Sequence, residues 1–148
     1  MSLTPLLREA RADDAAELAR LTMELGYPVS EETMLARLHM LLPHPDHHIT
    51  VAATGGALCG WIAAEHRRTL ESGERIEIVG LVVDANYRGS GVGRMLVADA
   101  EQWARRSGFE TIAVRSNIAR EASHPFYARL GYIRRKTQHF YVKSLAGG

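Results

Sequence analysis

One mostly antiparallel, mixed central sheet with helices on both faces is the α/β fold that three features of this 148-residue chain predict. Two apolar runs, residues 48–53 and 58–64, flank Thr54-Gly55-Gly56-Ala57, which is a hairpin signature. Two amphipathic helical patterns precede that hairpin. After it, an apolar run at 78–83 passes through a glycine-rich turn into a helix and on to a further apolar run at 111–114. Such a strand-helix-strand unit is expected to be parallel and right-handed, and alternating elements of this kind build a layered α/β domain.

Each element has its own local reason. Residues 6–10 are short and half apolar and read as a strand. Asp13 and Asp14 can supply an N-cap and negative charge at the start of the next helix. That helix buries Leu18, Leu21 and Leu25 and stops at Gly26. Tyr27-Pro28-Val29 links it to Ser30, a second N-cap. The residue three on is Thr33, so the capping box is incomplete. The second helix is expected to bury Met34, Leu35, Leu38, Leu41 and Leu42 and to end before Pro43. Residues 70–74 turn the chain into the central strand. In the third helix Val92, Leu96 and Trp103 recur at helical spacing, with Arg94, Glu101, Arg105 and Arg106 available for the other face. Gly108 is its C-cap candidate. A short helix ends at Leu130-Gly131. Residues 133–142 alternate weakly, with Phe140 and Val142 on one side, and are expected to supply one or two last strands.

Composition narrows the function classes. The length suits a single domain, 1–148, that buries about two-thirds of its unfolded surface. Net charge is +1 with 24% charged residues, so no basic field attracts nucleic acid. No apolar run approaches the ~20 residues of a membrane helix. The first residues lack the basic and apolar regions of a secretory signal. The single cysteine, Cys59, excludes an intrachain disulfide and fits a cytoplasmic protein. In its strand context it reads as a small buried apolar residue. His44-Pro45-Asp46-His47-His48 matches no strong zinc spacing, and no metal is expected.

The most informative stretch is Arg88-Gly89-Ser90-Gly91-Val92-Gly93-Arg94. A glycine turn between strand and helix aims backbone N–H groups outward at the positive end of a helix dipole, and such a turn binds phosphate. Glycine lets the backbone come close to the ligand. A dinucleotide-type loop from Gly89 would need Gly or Ala where Arg94 stands. A Gly-Lys phosphate loop would need Gly and Lys where the chain has Arg94 and Met95. What remains is Arg88-x-x-Gly91-x-Gly93.

That turn, followed by Asn117 and by His124-Pro125-Phe126-Tyr127-Ala128-Arg129-Leu130-Gly131-Tyr132, resembles the GNAT family of N-acetyltransferases. Its pattern is Gln/Arg-x-x-Gly-x-Gly/Ala after a central strand, then an Asn, then a Phe-Tyr helix ending in Leu-Gly-Tyr or Leu-Gly-Phe. The strong part of the resemblance runs from about Glu77 to Tyr132. The segment from Arg115 to Gln138 is also similar to small bacterial members of unassigned acceptor and, less closely, to aminoalkylphosphonate N-acetyltransferases.

The resemblance implies acetyl-CoA as cosubstrate and direct attack by a small-molecule primary amine in a ternary complex. The diphosphate would sit on the amides of Gly89, Ser90, Gly91, Val92, Gly93 and Arg94, beside Arg88. The pantetheine arm would lie along Leu81, Val82 and Val83, which requires this strand and residues 111–114 to splay apart. Gly80 is the place for the bulge that this needs. An N–H near Val82 would stabilise the developing oxyanion, and Asn117 would hold the arm, unless it makes only an Asx turn. Tyr127 is the candidate general acid for the leaving thiolate, since a phenol and a thiol have neighbouring ordinary pKa values. Its rival reading is a core aromatic, but Phe126 and Leu130 take the sheet-facing positions. Pro125 either starts that helix or distorts it. Glu77, a carboxylate inside an apolar strand, matches a base of some family members. Alternation alone permits it to face solvent instead, with Glu65 and His66 as other candidates. Tyr27, His139 and Tyr141 are placed near the acceptor by family topology. The family is often dimeric, so a homodimer is a further expectation. The rival functions are a non-catalytic acyl-CoA-binding regulatory module and a protein N-terminal acetyltransferase.

Overall fold

A computed structural model of the chain describes residues 4–116 and 123–146. They fall into two compact units divided after Arg115. The first carries β1 (Leu6–Glu9), α1 (Ala15–Glu24), α2 (Glu31–Leu41), β2 (His47–Thr54), β3 (Ala57–Thr69), β4 (Gly73–Val83), α3 (Val92–Arg106) and β5 (Ile112–Val114). The second carries α4 (Ser123–Arg129).

The five strands form one sheet in the order β1-β2-β3-β4-β5, antiparallel except for the parallel pair β4–β5. The hairpin is as its punctuation demands. Thr54 pairs with Ala57 across Gly55-Gly56, and Gly55 takes a positive φ of 59°. β3 and β4 run further than their apolar cores, to a second turn where Thr69 pairs with Gly73. Their extra residues are charged, and period-2 apolar reading stops where charge begins.

Helices cover both faces. On one, Leu18, Leu21 and Leu38 of α1 and α2 pack with Val51, Leu58 and Val82, and Trp61 lies against the same core. On the other, Val92, Leu96, Val97, Ala100 and Ala104 of α3 are buried. A Cβ added at Gly60 would sit 3.0 Å from Leu96 Cδ1, so α3 lies directly on β3. Each fully buried leucine contributes about 2–3 kcal/mol by removal from water.

Three expectations change in detail. Asp14 does not cap α1 with its side chain; a short 3-10 turn (Ala12–Asp14) precedes the helix, and the carboxylate accepts from Arg8 and from Arg11 N, each at 2.8 Å. A charged side chain six residues back offered a stronger partner than the helix's own amides. α2 begins as expected, with Ser30 Oγ accepting from Thr33 N at 3.0 Å, but only Leu38 of its apolar set is fully buried. Residues 133–142 form no strand. A weakly alternating segment becomes a strand only by pairing, and Ile133, Phe140 and Val142 stay exposed instead.

Candidate functional site

The glycine turn grows out of the end of β4. Asp84 Oδ1 accepts from Asn86 N at 2.9 Å and starts one 3-10 turn over Ala85–Tyr87. Arg88 is extended, and then Gly89 and Gly91 take φ values of +80° and +93°. Side chains are strained at both, so glycine is what lets α3 start at Val92. Ser90, expected among the diphosphate donors, is exposed but spent within the turn: its N–H donates to Tyr87 O at 3.2 Å, and its hydroxyl donates to the same oxygen. The amides of Gly89, Gly91, Val92, Gly93 and Arg94 meet no acceptor among the described residues. These are the donors that a helix start leaves for an anion.

The turn is tied to α1. Arg20 donates to Asp84 Oδ2 and to Leu58 O, both at 2.9 Å, and also pairs with Glu17 and Glu24. The Asn86 amide and the Arg20 guanidinium hold the Asp84 carboxyl below its ordinary value, although burial opposes them. Neither Arg20 nor Asp84 was legible as a site residue. An i, i+3 and i, i+4 set of acids around Arg20 reads in sequence as a solvated helix face.

Beside the turn, β4 has an open edge. Parallel pairing with β5 covers only Ile76, Glu77 and Ile78. Leu81, Val82 and Val83 pair with Ile62, Trp61 and Gly60 on one side, and among the described residues no strand pairs with their other side. Between the two stretches lies a bulge: Gly80 pairs with Ala63 and Ile78 with Ala64, leaving Val79 out. A Cβ at Gly80 would lie 2.7 Å from two carbons of the Trp61 ring, so the indole occupies the space a side chain would need.

Glu77 points into the protein and is 2% exposed. Its Oε2 accepts from Arg67 Nη1 at 2.9 Å and from Arg115 Nε at 2.8 Å, and Arg75 Nη2 lies 3.2 Å from Oε1. Burial alone would push its pKa up. The hydrogen bonds from Arg67 and Arg115 outweigh that and hold it below 4.5, the ordinary value. Glu65, its partner across the β3–β4 pair, lies 3.3 Å from Arg67 Nε. His66 is on the opposite face, between Asp46 and Glu74. Arg67 and Arg75 read in sequence as ordinary charges because they fall in the charged ends of long strands, and Arg115 because it follows a strand of only three residues. The alternation Glu65-x-Arg67 and Arg75-x-Glu77 could have revealed the first two.

The second unit carries Tyr127. The described part of α4, Ser123–Arg129, includes Pro125, whose missing amide a helix tolerates in its first turn. Its end is a Schellman cap, with Gly131 N donating to Ala128 O at 3.1 Å and Tyr132 N to Tyr127 O at 3.0 Å. The Tyr127 ring meets Phe126 and Tyr132 edge to face at 5.1 and 5.7 Å. Asn117 lies outside the described residues. Tyr27 is exposed, as is Tyr141, whose ring is 6.2 Å from that of His139. The histidines of the 44–48 segment are engaged separately. His44 meets His47 edge to face, and His48 bonds Asp99 at 2.8 Å while stacking on Trp103. No three metal-ligating side chains converge among the described residues, and no helix there is long and apolar enough to cross a membrane.

Comparison with known proteins bears on what this arrangement is. Residues 12–132 match the model of the Acetyltransferase (GNAT) family. The aminoalkylphosphonate N-acetyltransferase of Salmonella typhimurium is 33% identical over 146 residues, covering 94% of this chain and 90% of that protein. The uncharacterized N-acetyltransferase YhdJ of Bacillus subtilis is 28% identical over 121 residues, 81% of this chain and 85% of its own. The structure of an aminoglycoside N-acetyltransferase in complex with CoA superposes with a TM-score of 0.86 at 19% identity, covering 97% of both chains, which shows a shared fold.

Proposed function

This chain belongs to the Acetyltransferase (GNAT) family and is an N-acetyltransferase, and from that premise we propose that it transfers acetyl from acetyl-CoA to a primary amine of a small molecule, by direct attack in a ternary complex. One observation carries the reading: the edge of β4 at residues 81–83, open among the described residues, runs into a turn whose amides at Gly89 and 91–94 meet no acceptor among them. An extended arm can pair with the edge while its diphosphate meets the turn, as strand addition and helix-start anion binding both allow. Arg88 and Arg94, both exposed, add charge on either side. Bound there, acetyl-CoA supplies an activated acyl carbon and a thiolate leaving group.

The chain's own residues then have three tasks. The outward amides of Leu81 and Val83 hold the arm and, beside Val82, stabilise charge on the acyl oxygen. Tyr127 donates its phenolic proton to the departing sulfur, and Asn117 steadies the arm. The amine must lose a proton, because at pH 7 only about one in a few thousand lysine-like amines is neutral. Solvent water takes that proton, because Glu77 is 2% exposed and sealed among arginines. With its proton affinity lowered Glu77 is also a weak base, so the rise of rate with pH follows the amine rather than the carboxylate. The acceptors printed in the relatives' names, aminoalkylphosphonates and aminoglycosides, support a small molecule.

Two measurements test the reading. Titration calorimetry with acetyl-CoA should give a one-to-one binding heat, and thiol release should follow with at least one amine of a broad panel. Heat without turnover on any amine leaves the binding module and removes the enzyme mechanism. No heat removes both.

A further inference from the structure

The arrangement around Glu77 is more than one carboxylate requires. Arg67 and Arg75 stand directly opposite each other on neighbouring antiparallel strands, a like-charge pairing that is unfavourable by itself. A third guanidinium, Arg115, arrives from beyond β5. All three lie against one buried carboxylate, and a second described acid, Glu65, lies on Arg67. The carboxylate of Glu77 is sealed in, yet the arginine side chains keep 33%, 29% and 50% of their surface. Arg75 Nε is buried and makes no hydrogen bond among the described residues. A strand pair selected for stability alone would not stack cations this way, and local rules are broken where a site is built.

The cluster also has a direction. Residues 75, 77, 80 and 82 share one face of β4, because the bulge at Val79 restores the alternation. The arginines therefore lie upstream of Gly80 and Val82, where the acyl group is proposed to sit. Glu77 is the buried anchor that holds the guanidiniums in place.

Resting on the transfer reading above, we propose that Arg67, Arg75 and Arg115 form the acceptor's recognition site and select a small amine carrying an oxyanionic group, phosphonate or carboxylate, at the end remote from its amine. Guanidinium forks match such groups in geometry and charge. A polycationic acceptor such as an aminoglycoside is disfavoured beside three guanidiniums.

The experiment compares 2-aminoethylphosphonate, β-alanine, propylamine and kanamycin, by thiol release with acetyl-CoA and by calorimetry on CoA-saturated protein. Either anionic amine should exceed propylamine at least ~10-fold in kcat/KM and in affinity, kanamycin should be poorest, and the preference should shrink in high salt. Arg67→Gln and Arg115→Gln should each lower the anionic-to-neutral ratio at least ~5-fold, while Arg68→Gln should not. If propylamine matches the anionic amines within ~2-fold, or the ratio survives in both variants, the recognition site is wrong while acetyl transfer stands. If the anionic amines bind selectively and lose selectivity in the variants, yet none is acetylated, the recognition site stands and the transfer reading falls. Arg115→Gln, at a half-exposed position, serves if Arg67→Gln does not fold.

Discussion

Arg115 Nε donates to Glu77 Oε2 at 2.8 Å, and so ties the residue just past β5 to the buried carboxylate of the neighbouring parallel strand. The bond joins two strands where their pairing ends, so stability and site geometry rest on one contact. Its pH dependence has a definite sign. The folded-state pKa of Glu77 lies below the ordinary 4.5. Its contribution is therefore complete above that value and is lost as pH falls through the folded value. Glu77→Gln should lower stability at pH 7 by about 1–3 kcal/mol, less than a fully buried pair would lose because the arginines are partly solvated. Thermal midpoints of wild type and variant, followed from pH 7 to pH 3, should converge in acid. Parallel curves would mean that Glu77 is not the group that titrates.

Gly91 caps α3 at φ +93°. Gly91→Ala should cost about 1–2 kcal/mol in stability from the left-handed strain. It should also weaken acetyl-CoA binding at least ~10-fold, since the amides that follow lose their aim. Gly56→Ala, with no positive φ and nothing within 4 Å of the added carbon, should change neither. Calorimetry and thermal melts on the three proteins check this.

Tyr127→Phe keeps the ring contacts with Phe126 and Tyr132 and removes only the hydroxyl. In the general-acid role, kcat should fall by roughly 10²–10³ while acetyl-CoA affinity stays within ~2-fold. Pre-steady-state thiol release would show the loss in the chemical step. A kcat unchanged within ~3-fold would remove Tyr127 from that role.

Gly80→Ala pushes a methyl group into the Trp61 ring, 2.7 Å away. The expected destabilisation is about 1–3 kcal/mol. Trp61→Phe frees that space, so the double variant should be more stable than the sum of the two single changes predicts. Denaturant midpoints of the four proteins give the coupling, and strict additivity would show that the ring does not depend on the glycine.

Most of the first unit could be read from residue order. The hairpin at Gly55-Gly56, the helix stops at Gly26 and Gly108, the Ser30 cap and the strand-turn-helix around Gly91 are local events, and each depends on a few neighbouring residues. The segment at 133–142 misled because alternation records which side of a strand is apolar, not whether a partner exists. The arginines at 67, 75 and 115 escaped notice because each, taken singly, is an ordinary charge at a strand end.

By itself, then, residue order determined the elements, the family resemblance and the phosphate-type turn, all of which are written in spacing and punctuation. Only the tertiary structure decided which charges meet. Register across β3, β4 and β5, with one residue bulged out at Val79, brings positions 67, 75 and 115 onto Glu77. A one-residue slip would have sent those side chains to the opposite face, and no local pattern encodes that choice.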